Sequence, residues 1–152
     1  MTQAWLVVPG AKVHLVSARI GLMSMDGTAP ISSGALTLDE SHVQLELVIA
    51  LDQVKANVLL QTAVRSLVKR YDAPVLKFCG EGEVAIDPLV VIGEAHAGKV
   101  AVPMTLTIKR TGFQAHVFGT AYLGTVDLPL PGAGKIDNFS FSVDTKLTLE
   151  AY

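Results

Sequence analysis

The sequence predicts a mainly β protein, an antiparallel barrel of about eight strands with one main α-helix over about residues 52–72. Three observations predict it. Most of the chain alternates apolar and polar residues with period two, which is typical of strands with one dry and one wet face. One segment instead has helical spacing, and 50% of residues are hydrophobic while 17% are charged. We expect one barrel domain over residues 1–152.

The strands follow from the alternation, segment by segment. In AKVHLVSAR, Val13 and Leu15 share one face and His14 and Val16 share the other. The same pattern recurs in five later segments, at 34–40, 43–51, 104–110, 113–126 and 139–150. Turn-forming pairs separate these runs at Pro9-Gly10, Asp26-Gly27, Asp87-Pro88 and Pro131-Gly132. The regular spacing of strands and turns is typical of an antiparallel barrel.

The predicted helix is DQVKANVLLQTAVRSLVKRYD, residues 52–72. Its apolar residues recur at roughly helical intervals. Asp52 suits the N-cap, Lys69 and Arg70 suit the C-terminal turn, and Pro74 ends the segment. Such a helix is about 30 Å long, enough to lie across an end or a side of the barrel.

Charge and hydropathy exclude several classes of partner. The net charge is −2 and the pI is about 6.0, so the chain as a whole has no basic surplus for nucleic acid or anionic lipid. No stretch reaches the roughly 18 to 20 apolar residues of a membrane-spanning helix. The N-terminus lacks a basic segment and a long apolar run, so we expect cytoplasmic residence. Cys79 is the single cysteine, which excludes an intrachain disulfide.

The octet GEAHAGKV, Gly93 to Val100, is one residue short of a phosphate-binding P-loop. Val100 stands where the Ser or Thr that binds magnesium is required, and the following VAVPMTLTIKR is typical of a strand rather than a helix. The second Gly-Lys pair, at Gly134, has Pro129 in place of the first glycine. We therefore expect no nucleotide binding, and we expect the glycines to serve turns.

The residue types that carry metal or catalytic chemistry lack the required spacing. The four histidines form no HxH, HxxxH or HExxH pattern: His14, His42, His96 and His116. No GxSxG nucleophile motif is present, and Cys79 is typical of a small packed hydrophobic residue. Glu81 and Glu83 are typical of a solvated strand edge. We expect no metal, no cofactor and no enzymatic activity.

The surplus of apolar strand positions predicts a binding cavity. Mean hydropathy is +0.44, and aromatic residues make up only 6% of the chain. A closed sheet of about eight strands is just wide enough to be filled by side chains or to hold one slender ligand. Because few large rings are available to fill it, we expect room inside the barrel.

A further pattern is the order of certain segments over nearly the whole chain: Trp5 in the first strand, VHLVSARIGLMSMDGTA (13–29), GALTLDE (34–40), YDAPVLKF (71–78) and GEAHAGKVAVPMTLTI (93–108). In this order the chain resembles the YceI-like family of lipocalin-like barrels, which bind isoprenoid or other lipid chains. Two positions depart from the family pattern. Val58, Leu59 and Leu60 stand where the family often has an Arg-Asp pair, and Arg19 stands where it often has a histidine.

Face and resemblance together predict the site. The expected apolar lining is Val13, Leu15, Leu45, Leu47, Phe78, Met104, Leu106 and Ile108. A one-residue slip would turn all of these outward. The basic residues Arg19, Lys69 and Arg70 are candidates for contact with a head group.

The predicted function is a non-enzymatic carrier that holds a polyisoprenoid or other lipid inside the barrel, and we expect a homodimer. Two alternatives remain open at this point. One is a structural or assembly barrel with a filled core and an apolar dimer interface. The other is a small enzyme that uses a histidine or Cys79 in the same pocket.

Overall fold

Strands account for most of the chain, as the period-two pattern predicts. The computed structural model describes residues 2–17, 24–72, 74–84, 88–98, 100–127 and 135–151. Within these ranges the strands are β1 Gln3–Val7, β2 Lys12–Ser17, β3 Asp26–Leu38, β4 His42–Ala50, β5 Lys55–Ala56, β6 Val75–Glu83, β7 Leu89–Ala97, β8 Val100–Thr111, β9 Gln114–Asp127 and β10 Lys135–Ala151. A 3₁₀ turn, Leu51–Gln53, and an α-helix, α1 Val58–Tyr71, lie between β4 and β6.

The sheet closes into an antiparallel barrel with eight strand positions. Neighbouring strands follow the order β10, β2, β3, β4, β6, β7, β8, β9, and the pairing of β9 with β10 closes the ring. Short β5 pairs with the start of β3 outside this ring, where Gly27 is in register with Ala56. The expected barrel of about eight strands is therefore confirmed in the described part of the chain.

Two short strands share one position in the barrel. Between β3 and β10, β2 occupies one half, with Val13 in register with Ala29 and Thr145. β1 occupies the other half, with Trp5 in register with Leu36 and Ala151. The chain changes direction between them at Gly10, whose φ of +100° is readily adopted by glycine. This shared position, together with β5 outside the ring, explains how the ten described strands build an eight-position barrel.

The prediction of one helix from Asp52 to Asp72 is wrong about where the helix begins. Asp52 lies in the 3₁₀ turn, two residues then pair with β3, and the 14-residue α1 starts only at Val58. Asn57 is the N-cap, because its Oδ1 accepts a hydrogen bond from the Leu60 N–H at 3.1 Å. α1 buries Leu60 and Val64 against the barrel. No helix of the described ranges is long and apolar enough to cross a bilayer.

The barrel has two distinct ends. The turn end carries the β3–β4 turn at residues 39–41 and the β8–β9 turn at Gly112 and Phe113. The helix end carries the 3₁₀ turn, β5, α1 and the β7–β8 turn at Gly98. β4 runs from the first to the second, since His42 pairs with Glu83 and Ala50 pairs with Val75.

Candidate apolar site in the barrel

All eight predicted lining residues lie inside the barrel. Their side chains are between 1% and 8% exposed and belong to one apolar core: Val13, Leu15, Leu45, Leu47, Phe78, Met104, Leu106 and Ile108. The residues between them, such as Gln44, Glu46 and Thr105, are exposed on the outer face. The predicted strand parity therefore matches the structure.

The middle of the barrel is packed, which corrects the expectation of spare room there. Val43 and Val91 are 0% exposed, and Leu45, Ile108 and Val117 are each 1% exposed. A cavity wide enough for an alkyl chain is also wide enough for a water molecule, so the side chains that line it would have solvent-accessible area. These side chains have almost none. In the middle of the barrel, the described inward side chains therefore fill the space between the strands.

Close approach of strands explains this packing. Gly80 on β6 is in register with Gly93 on β7, and both face inward. A Cβ at Gly93 would collide with the Cys79 carbonyl oxygen, and a Cβ at Gly80 would lie 2.6 Å from Cζ of Phe78. The Phe78 ring therefore covers the space that the two glycines leave open. One large ring compensates for the low aromatic content.

At the helix end of the barrel, four apolar side chains that pack against the core are only half-buried, and we call them the mouth: Val68 of α1, Leu76 of β6, Val102 of β8 and Phe141 of β10. For the strand residues the inward direction follows from register, since Leu76 pairs with buried Ile49, Val102 with buried Ala95, and Phe141 with buried Ala121.

Small and flexible residues lie next to the mouth. Ala95 is in register with Val102, and Ala97 and Ala121 are also inward and buried. Met104 follows Val102 on the same face of β8 and is 8% exposed. Alanine leaves volume that a longer side chain would fill, and methionine adapts its shape at low cost. These residues make the helix end the part of the interior best suited to accept an apolar group.

The turn end also has half-buried apolar side chains, at Leu38, Val84 and Leu89, but it holds a large aromatic group as well. The Trp5 side chain is 8% exposed, and the Arg110 guanidinium carbon lies 4.6 Å from its ring centroid. Arg110 also donates a hydrogen bond from its guanidinium to the Gly112 carbonyl oxygen at 2.9 Å, which fixes the cation over the ring. This large aromatic group fills the core near the turn end.

Of the three predicted head-group residues, the structure describes the side chain of one. Lys69 is exposed on α1. Arg19 and the Arg70 side chain lie outside the described residues. Their joint role in binding a head group stays a prediction.

The four histidines lie on the outer surface of the barrel. His14 Nε2 is 2.7 Å from Asp26 Oδ1, and His116 Nε2 is 3.0 Å from Asp144 Oδ1. His42 Nδ1 is 3.2 Å from Ser41 Oγ, and His96 is 3.9 Å from Glu94. Among the described residues, no three His, Cys, Asp or Glu side chains converge as metal ligands.

An outer groove of about 520 Å³ lies across β3, β4, β6 and β7. Its walls carry outward side chains that sequence reasoning did not group, including Glu46, Glu94, His96 and the exposed Ile92. The half-buried Cys79 lies between Glu46 and Glu94 in the strand register. Only the pairing of four strands brings these residues together, so no local motif signals the groove.

The near-P-loop octet forms the β7–β8 hairpin, as the sequence predicts. Gly93 to Ala97 belong to β7, Gly98 turns the chain with φ of +60°, and Ala97 pairs with Val100. Lys99 and the second Gly-Lys turn at 131–134 lie outside the described residues.

Comparison with known proteins gives the fold but no family. No family model matches the chain, and no curated protein matches its sequence. The crystal structure of BcnA from Burkholderia cenocepacia is similar, with a TM-score of 0.53 and 13% sequence identity over 91% of this chain and 96% of that chain. Together with the closed barrel, this likeness supports a lipocalin-like fold. Membership of the YceI-like family is not confirmed.

Proposed function

We propose that this chain is a binding protein that takes an apolar chain, a polyisoprenoid or other lipid tail, into the helix end of its barrel. The observation that carries the proposal is the mouth, where inward Val68, Leu76, Val102 and Phe141 are half-buried beside small alanines. A lipocalin-like barrel is a common architecture for small apolar ligands. The non-enzymatic role and the cytoplasmic setting belong to the same proposal.

The depth of entry follows from the energetics. Burying ten methylenes stabilises a complex by about 8 kcal/mol. Association costs about 4 to 15 kcal/mol, so a tail held only at the mouth binds weakly. Burial of about twenty carbons contributes about 15 kcal/mol. Tight binding therefore requires the tail to pass the mouth and displace inward side chains, of which Met104 is the most adaptable.

Two neighbouring positions on β8 test the proposal. Val102→Phe enlarges an inward mouth residue, whereas Ala101→Phe makes a similar change on the exposed outer face. If the added ring displaces about two methylenes of ligand, binding of a fluorescent prenyl or alkyl probe weakens about tenfold. We expect the Ala101→Phe variant to bind like the unmodified protein. Equal affinity of both variants would contradict the site.

Extraction of the purified protein with organic solvent, followed by mass spectrometry, identifies any bound lipid. We expect a long-chain lipid in the extract of the native protein and less in the Val102→Phe extract. Absence of lipid from repeated preparations, together with no probe response, would contradict the function itself.

The packed middle of the barrel favours a second candidate, an assembly protein with a filled core. Ile92 on β7 is 66% exposed and Tyr122 on β9 is 77% exposed, so both offer apolar contact area for a second copy. The homodimer stays a prediction. If Ile92→Lys converts a dimer to a monomer in light scattering and no lipid is extracted, this second function is favoured.

A further inference from the structure

Basic residues are concentrated in one segment of the chain, although the chain as a whole is nearly neutral. Residues 51–77, which include the 3₁₀ turn, β5 and α1 of the helix end, contain five basic and two acidic residues, a net charge of +3. The remaining residues contain seven basic and twelve acidic residues, a net charge of −5. At the turn end, exposed charges of both signs are present, with Asp39, Glu40 and Glu83 as well as Lys109 and Arg110.

The basic side chains are positioned to meet a partner. Lys55 on β5, Arg65 and Lys69 on α1, and Lys77 on β6 are all exposed, and we call these four the basic face. The helix itself carries three basic residues and no acidic one in its sequence, VLLQTAVRSLVKRY. Its cationic charge is therefore not neutralised from within the helix.

An apolar side chain lies on the same face of α1. Val58 is 79% exposed, and the spacings from Val58 to Arg65 and to Lys69, seven and eleven residues, place all three on one stripe. On another side of α1, Leu60 and Val64 are buried against the barrel. α1 thus packs its apolar stripe against the barrel and presents a basic stripe with one exposed valine, so its contact with an anionic lipid surface would be mainly electrostatic.

A flat charged surface that contacts one end of the barrel interacts mainly with the charges at that end, because charges farther away are screened by salt. β4 has nine residues, about 30 Å of strand, and runs from the turn end to the helix end; with the tilt of barrel strands the two ends are roughly 20 Å apart. The Debye length at physiological ionic strength is about 8 Å. A negative surface at the helix end therefore interacts with the basic face, while the charges of the turn end are screened. The net charge of −2 does not predict this interaction.

We propose that the helix end docks on an anionic lipid surface through the basic face and Val58. This inference rests on the proposed function, because docking there would place the mouth next to the bilayer from which an apolar tail enters. The occupant is a membrane rather than an acidic protein or nucleic acid, since the exposed valine and the half-buried mouth offer apolar contact beside the charges.

Vesicle cosedimentation tests the docking. The full chain is mixed with phosphatidylcholine vesicles and with vesicles of equal parts phosphatidylcholine and phosphatidylglycerol, at low and high salt. We expect binding to the anionic vesicles only, and weaker binding as salt increases. Equal binding to both compositions would overturn the proposal, as would binding to heparin without binding to anionic vesicles.

A charge-matched pair of variants locates the surface. Arg65→Gln with Lys69→Gln removes two charges from the basic face, and Lys109→Gln with Lys146→Gln removes two from exposed positions on β8 and β10. Each basic residue near an anionic surface strengthens binding about fivefold, so the first pair should weaken vesicle binding about 30-fold. The second pair should change it far less. Equal losses in both would overturn the assignment to the helix end.

Two further measurements keep the outcomes separate. Circular dichroism and thermal melting establish that each exposed-site variant is folded, and Val58→Ser should weaken vesicle binding without removing charge. Binding of the soluble fluorescent probe, measured without vesicles, reports the mouth alone. If a variant loses vesicle binding but still binds the probe, its defect lies in docking. If the unmodified protein does not bind the probe at all, the ligand site is refuted, and the result on vesicle docking is unaffected.

Discussion

At the scale of single residues, the electrostatics of the β3–β4 turn depend on Asp39. Its Oδ1 accepts hydrogen bonds from the backbone N–H groups of Ser41 at 2.8 Å and His42 at 2.6 Å. These bonds stabilise the ionised carboxylate and lower the pKa of Asp39 below its usual 3.8, although the side chain is fully exposed. The turn therefore favours the charged form.

The sign of the pH dependence follows from that direction. Because the folded-state pKa is lowered, Asp39 stabilises the fold above about pH 4. This stabilisation is lost as the pH falls through the folded-state pKa. An NMR titration of the Asp39 carboxyl should give a midpoint below 3.8, and Asp39→Asn should reduce the loss of stability on acidification. A midpoint at or above 3.8 would contradict the hydrogen-bonded turn.

Gly93 tests the close approach that narrows the barrel. A Cβ at this position would collide with the Cys79 carbonyl oxygen and with Gly80 Cα, both of which are backbone atoms that cannot move independently. We expect Gly93→Ala to lower the free energy of unfolding by about 3 kcal/mol, at the upper end of overpacking effects. The matched control is Ala101→Gly on the exposed face of β8, which should cost about 0.5–1 kcal/mol. Urea denaturation measures both, and a near-neutral Gly93→Ala would contradict the packed register.

At the scale of elements, Asn57 fixes the start of α1. Its Oδ1 caps the helix at Leu60, its Nδ2 donates to the Ser24 carbonyl oxygen at 2.8 Å, and its backbone N–H donates to the Asp26 carbonyl oxygen at 2.9 Å. Loss of the cap and of the bond to Ser24 should make Asn57→Ala about 1–2 kcal/mol less stable. Asp52→Ala is the control, because Asp52 is exposed in the 3₁₀ turn and caps no α-helix. If thermal or urea unfolding shows that Asp52→Ala loses more stability than Asn57→Ala, the helix begins at Asp52 rather than after Asn57.

The two helix starts show where local sequence stops being informative. Asp52 and Asn57 are both residue types that cap helices, and both precede apolar residues at helical spacing. Asn57 is selected by contacts with Ser24 and Asp26, more than thirty residues away. The strands were easier to predict, because alternation at Met104, Leu106 and Ile108 reports directly which face is buried.

At the scale of the whole molecule, composition predicted an apolar interior but not how it is filled. Low aromatic content suggested spare volume, yet the Gly80–Gly93 register brings two strands together and the Phe78 ring fills the remaining space. Such an arrangement depends on which strands become neighbours. The mouth also depends on which elements become neighbours, because its four residues lie on a helix and three separate strands. The concentration of basic residues in α1 and the segments beside it is likewise concealed by the net charge.

The most direct measurement is a crystal structure of the protein incubated with a long-chain prenyl alcohol. We expect elongated density that enters between α1 and strands β8 and β10, contacts Val102 and Phe141, and is accompanied by a changed Met104 side chain. Density in the outer groove, or a barrel interior unchanged from the ligand-free protein while the compound is bound elsewhere, would contradict the proposed binding of an apolar chain at the helix end.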